Sequence, residues 1–331
     1  MSLFGIDHHA AISAISERAA GFSKGPVRMR SVSVAIGLLG LSLCGPARAL
    51  ETVKVTDGIY AFVGEKTQRS PLNLGNNATF GLVVTTGGAL LIDPGGSWKG
   101  AAALHAAIRK VTDQPVRYVV NTGGQDHRWL GNGYWHKQGA VIIAATTAIA
   151  DQQARGSLQL SMLHQLLGGE LAGTEPRYAE IAFERSHTFQ LGSVVVEVRH
   201  VGPAHTPGDS FVWLPSKGVV FTGDVVYVER VLGVIDVSRT KSWLAAFEAI
   251  AALQPTYVVP GHGAPTRLDR AQADTYDYLV NLRGRMRAHI DAGADIIGAP
   301  NVDQTQFAYL EQFAALARRN AQAVFAEMEF E

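Results

Sequence analysis

Cysteine is almost missing from this sequence: the 331 residues include one, Cys44. No disulfide can form within the chain, so packing alone must hold it together. No thiolate follows position 44, so any metal or nucleophile chemistry there rests on nitrogen and oxygen donors. An excess of charge of one sign is missing too, with 29 Lys and Arg against 29 Asp and Glu. That balance lacks the basic footprint of a nucleic-acid binder or of a protein that docks on anionic membranes, and it points to a small-molecule substrate. Long apolar runs are absent: the stretch from Ser33 to Cys44 is shorter than the roughly 20 residues that a spanning helix needs. We find no internal repeat and no low-complexity segment.

The first 49 residues read as an extension ending in a leader. Arg28 and Arg30 precede the apolar stretch, and Ala47-Arg48-Ala49 has the small-x-small form of a cleavage site. This predicts a mature chain starting near Leu50, residues 50–331 forming one domain, a periplasmic or secreted location, and no stable membrane insertion of the mature chain. The sequence gives no oligomeric state.

From residue 53 onward, strand and helix patterns alternate. Val53 to Val63 reads as a hairpin turning at Asp57-Gly58, and two strands follow around Thr85 to Gly88. Ser97 caps a helix running to about Val111, and Val116 to Asn121 is a short apolar strand. A strand at 140–144 and a helix to about Leu167 come next, then an irregular loop over 168–180. The second half adds strands at 194–201, 210–214, 219–221 and 257–259, with a helix over 241–253. Two closing helices, about 267–290 and 303–327, carry Leu279, Leu282 and Met286, and Phe307, Leu310 and Phe313, at helical spacing. Two groups of strands with helices between them predict two sheets covered by helices.

Polar clusters stand at the strand ends: Asp93, Asp126-His127, His205, Asp224 and His262. Strand ends in layered α/β folds are where sites are assembled. Imidazole and carboxylate together suit a borderline divalent ion, and Asp126, His127, Asp224 and His262 would offer two of each. Asp93 reads as a hydrogen-bonding or ligand-orienting group rather than a ligand. Gly123-Gly124 reads as a tight turn rather than an anion cradle.

Ile92-Asp93-Pro94-Gly95, Val120-Asn121-Thr122, Asp126-His127, Ala204-His205-Thr206, Thr222-Gly223-Asp224 and Pro260-Gly261-His262-Gly263 occur in an order that resembles the metallo-β-lactamase superfamily. The tail and the 204–209 stretch are most similar to its periplasmic, quinoprotein-relay type of zinc metallohydrolase. The resemblance implies an αββα four-layer sandwich with C-terminal helices. It departs from the family at one motif. The usual Thr-His-x-His-x-Asp-His becomes Thr122-Gly123-Gly124-Gln125-Asp126-His127, one residue shorter and without both early histidines. The family's first metal site is thereby reduced to His205 and the shared Asp224. The second, with Asp126, His127, Asp224 and His262, stays complete.

One zinc per chain is therefore expected, although the same donors suit iron. The implied activity is hydrolysis of an ester, thioester, amide or lactam by metal-activated water. His205 would hold or deprotonate that water, and Asp224 would serve both metal and catalysis. Two rival readings are a non-catalytic periplasmic protein that binds a metal or small ligand in the old cleft, and an iron-dependent redox enzyme. Specificity is expected in the loops 64–77, 168–186 and 225–240.

Overall fold

The computed structural model describes residues 49–331; the expected leader as far as Arg48 lies outside them. The chain opens with antiparallel strands β1 (Glu51–Thr56), β2 (Ile59–Val63), β3 (Thr79–Thr85) and β4 (Gly88–Ile92). The connections then become crossovers. Helix α1 (Trp98–Ile108) leads to β5 (Val116–Asn121), and α2 (Asn132–Lys137) leads to β6 (Val141–Ala145). The long α3 (Thr146–Leu167) leads to β7 (Ile181–Phe183). The parallel strands β4 to β7 complete a seven-stranded sheet in sequence order.

The second sheet has five strands in the order β12-β11-β10-β9-β8. They are β8 (Ser186–Leu191), β9 (Val194–Arg199), β10 (Phe211–Leu214), β11 (Val219–Phe221) and β12 (Tyr257–Val259). Only β11 and β12 run parallel. Their crossover is α4 (Thr240–Ala251). Then α5 (Leu268–Ala271) passes through a π-helical turn, Gln272–Tyr276, into α6 (Asp277–Asp291), and α7 (Phe313–Met328) closes the chain.

Three apolar layers follow from these sequences. Ile59, Val83, Leu90 and Ile143 of the first sheet meet Val196, Val212 and Phe221 of the second. Gly81 sets part of that spacing: a Cβ there would sit 2.4 Å from the Phe221 ring. Strand side chains alternate between faces, so Phe80, Leu82 and Leu91 point the other way, against Leu104 and Ile108 of α1 and Trp135 of α2. Ser97 caps α1 by accepting a hydrogen bond from the Gly100 amide. On the far side, Leu279, Leu282 and Met286 of α6 and Val324 and Phe325 of α7 cover the second sheet with Trp243 and Phe247 of α4. The result is the expected helix–sheet–sheet–helix sandwich with C-terminal helices.

Several local expectations change. Strands β7 and β8 and the short α2 lie where no strand or helix was assigned. The last helix starts at Phe313, because Thr305–Phe307 forms a 3-10 turn, and Phe307 and the following Leu310 are buried against the second-sheet helices. Leu158 to Leu167 has two faces. Leu163 and Leu167 are buried against Trp129 and Leu130, whereas Leu158, Met162 and Leu166 are exposed.

Candidate metal centre

The site forms at one end of the sandwich, where strands of both sheets stop. The turn after β5 supplies Asp126 and His127 in a short 3-10 turn. The turn after β11 supplies Asp224, and His262 follows β12. One donor atom each of His127, Asp224 and His262 lies within 4.8 Å of the others, and all three residues are buried. His127 Nε2 stands 3.2 Å from Asp224 Oδ2, and His262 Nε2 stands 3.2 Å from Asp224 Oδ1.

The tautomer of His262 follows from its partner. His262 Nδ1 lies 2.8 Å from the Asn77 carbonyl, which can only accept, so that nitrogen carries the proton and Nε2 keeps its lone pair. Burial and the neighbouring Arg230 charge push His262 well below the usual histidine range, so it stays neutral. His127 Nδ1 lies 3.0 Å from Asp126 Oδ1. Arg69 Nη2, which can only donate, lies 2.9 Å from the same nitrogen, so the partners of His127 Nδ1 accommodate either tautomer. Two imidazoles and a carboxylate thus converge in a buried pocket, and with the His127 proton on Nδ1 this set fits a divalent ion with a position left for water.

Asp126 belongs to a different part of the arrangement. It lies outside the three-residue group, and its Oδ1 accepts from the His127 amide and from Arg69 Nη2. Burial alone would raise this carboxyl, but the Arg69 charge and the His127 bond outweigh it and hold it far below the carboxylate range. In this geometry Asp126 orients the His127 ring from behind.

Arg128 is the residue whose role the sequence concealed. It is fully buried. Its Nη1 donates to Asp93 Oδ2 (2.8 Å) and the Thr79 carbonyl, and its Nη2 donates to Asp224 Oδ1 (2.7 Å) and the Gly261 carbonyl. One guanidinium thus ties ends of β3 and β4 in one sheet to the turns after β11 and β12 in the other. Asp93 also accepts from the Thr122 amide and hydroxyl, and it holds a left-handed φ of 65° to do so. Burial would raise Asp224, but Arg128 and the two histidines hold it well below its ordinary range.

His205 also stands outside the group of three. Its Nδ1 donates to the Gly233 carbonyl (2.8 Å), and burial lowers its pKa to about 4. Gly123 and Gly124 are needed for close approach: a Cβ there would press on the carboxylates of Asp209 and Asp151. The Gly124 amide is taken by Thr206 Oγ1, so the stretch is a tight, packed turn as expected. Trp129 and Asn132 are core residues, with Trp129 bonded to Gln159 and Asn132 paired with Asn121.

A cavity of about 930 Å³ opens onto these groups. Its lining includes Asp126, His127, His205 and His262. Loops 64–77 and 225–240 contribute as expected, whereas 168–186 contributes nothing. The remaining wall comes from α3, whose apolar Leu158 to Leu167 segment reads from the sequence as packing on the sheet rather than covering the site and in fact lines the cavity too, and from Ile296 and α7, which no sequence signal marked.

Residues 75–262 match the metallo-beta-lactamase superfamily, and the chain belongs to it. Its members are generally metal-dependent hydrolases. Among solved structures it is similar to a metallo-beta-lactamase from Pontibacter korlensis, with 24% identity over 70% of this chain and 99% of that one, at a TM-score of 0.58. It is also similar to DIM-1 metallo-beta-lactamase, with 20% identity over 69% of this chain and 96% of that one, at a TM-score of 0.54. The inverting sec-alkylsulfatase Pisa1 from Pseudomonas sp. gives a TM-score of 0.65 with 15% identity, over 85% of this chain and 51% of that one. These likenesses establish the fold.

Proposed function

We propose that the protein is a metal-dependent hydrolase whose ion, zinc or iron, is held by His127, Asp224 and His262. The observation that carries this is the convergence of those three buried donors, two of which, His127 and His262, line the cavity. A bound divalent ion would polarise the oxygen of an ester, thioester, amide or lactam and bring the pKa of a coordinated water towards neutrality. Asn77 fixes the His262 ring so that it offers Nε2, and in the metal-bound form the His127 proton would sit on Nδ1 beside Asp126. Arg128 keeps Asp224 ionised and immobile. His205, neutral and with its Nδ1 proton committed to Gly233, presents Nε2 as a hydrogen-bond acceptor for water. Its pKa of about 4 suits orienting a water better than removing its proton.

The test is turnover on a panel of esters, thioesters, amides and lactams, before and after chelation. Hydrolysis lost on chelation, restored by zinc or iron and absent in His262→Ala is the expected result. Turnover indifferent to both chelation and that substitution would overturn it. Binding without turnover is the second reading, and Arg128 favours it, because a fixed cation on Asp224 already balances much of the carboxylate's charge. Metal uptake with no hydrolysis anywhere on the panel would select that reading.

A further inference from the structure

The cavity carries four arginines, Arg69, Arg155, Arg230 and Arg319, against two aspartates, Asp126 and Asp236, in a chain of balanced charge. Arg155 is paired with Asp151, and Arg69 with Asp126. Arg230 is different. It is only 5% exposed, and among the described residues no carboxylate pairs with its guanidinium. Its Nε is buried without a hydrogen-bond partner. Its Nη1 lies 3.2 Å from His262 Nδ1, but that nitrogen already gives its proton to Asn77, so two donors face each other. Arg69 Nε, beside the same cavity, is also buried and unpartnered. A buried cation without a counter-charge is costly, and ordinary structural arginines are paired.

The backbone prevents Arg230 from retreating. Glu229 takes a left-handed φ of 63°, and its amide donates to Asp274 Oδ2. The Val231 amide donates to the Glu311 carbonyl, and the Glu311 amide donates to the Glu229 carbonyl. The chain is thus clamped on both sides of a cation that no carboxylate among the described residues pairs with. Part of the cavity wall is apolar: Leu158, Met162 and Leu166 of α3, with Ile296, are exposed and line it.

We propose that Arg230, with Arg69 beside it, seats an oxyanion of the substrate, and that this substrate is an amphiphile: one carboxylate, sulfate or phosphate group on an aliphatic body lying along α3. The inference rests on the hydrolase reading only in calling the occupant a substrate. The seat itself needs no metal.

Calorimetry on the full chain, metal-free and zinc-loaded, tests it with decanoate, decyl sulfate, decyl phosphate, decanol and acetate below their micelle concentrations. At least one of the three anionic amphiphiles should bind about tenfold or more tighter than decanol and acetate in both forms, and which does so identifies the headgroup. R230Q should weaken that binding on the order of 30-fold and leave decanol unchanged, R230K should recover part, and the melting temperature of R230Q should not fall, since no ion pair is lost. Decanol binding as tightly as every anion, or R230Q binding the anions like the parent, would overturn the proposal. The preference of the parent for anion over alcohol decides even if R230Q does not fold. Absence of turnover with anion binding intact would defeat the hydrolase reading and leave the seat standing.

Discussion

At the scale of single residues, the site is a set of buried charges that hold one another in place. Arg128 is the keystone, since it neutralises Asp93 and Asp224 at once. Arg128→Ala would strand two carboxylates in the interior, and denaturant unfolding should show a loss of about 3–5 kcal/mol, with non-folding as the extreme. A loss below about 1 kcal/mol would mean that the network contributes little to stability. His205 gives a pH-dependent signal in the metal-free protein. Its folded pKa, about 4, lies below its unfolded value of 6.5. The unfolded chain therefore takes up this proton first as pH falls. The contribution is fully present above 6.5 and is lost progressively towards 4, amounting to about 3 kcal/mol. His205→Gln should flatten the stability profile in that window, and an unchanged slope would remove His205 as its source. The sequence marked His127, Asp224 and His262 because they fall at strand ends in a known order. It did not mark Arg69 or Arg230, which sit in loops with no periodicity. Nor could it separate Asp126 from its neighbour, because adjacent residues in one turn share a motif yet point to different partners.

At the scale of elements, strands and long helices were legible where one face alternates or repeats. Strands β1 to β6 and β9 to β12 read directly, as did α1, α3, α4 and α6. The edge strands β7 and β8 did not, since each is buried at one residue only, Phe183 and Leu191, unlike the short β11 and β12. Helix α2 escaped because six residues span under two turns, too few for a pattern to repeat. Helix α3 shows how one amphipathic segment serves two surfaces. Its Leu163 packs on Trp129 and Leu130, while Leu158 faces the cavity. Leu163→Ala should cost about 2–5 kcal/mol in thermal or denaturant unfolding, whereas Leu158→Ala should stay within about 0.5 kcal/mol. Equal effects would show that the two faces are not divided in this way.

At the scale of the whole molecule, two sheets from different halves of the chain meet so that their strand ends share one pocket. The first half contributes His127 and the second contributes Asp224 and His262. The fold was legible because the motifs keep their order along the chain. The departure at Thr122 to Gln125 was legible as a loss of ligands. What replaces them, a network of arginines around the remaining donors, needed the tertiary structure, because Arg69, Arg128 and Arg230 come together only across the two sheets. The most direct test is metal content by plasma mass spectrometry on the full chain and on His127→Ala, His262→Ala, Asp126→Ala and His205→Ala. The expected result is about one ion per chain in the parent and in His205→Ala, none in His127→Ala and His262→Ala, and affinity weakened about 10–100-fold in Asp126→Ala. A parent that takes up no ion, or one whose ion survives loss of His262, would contradict it.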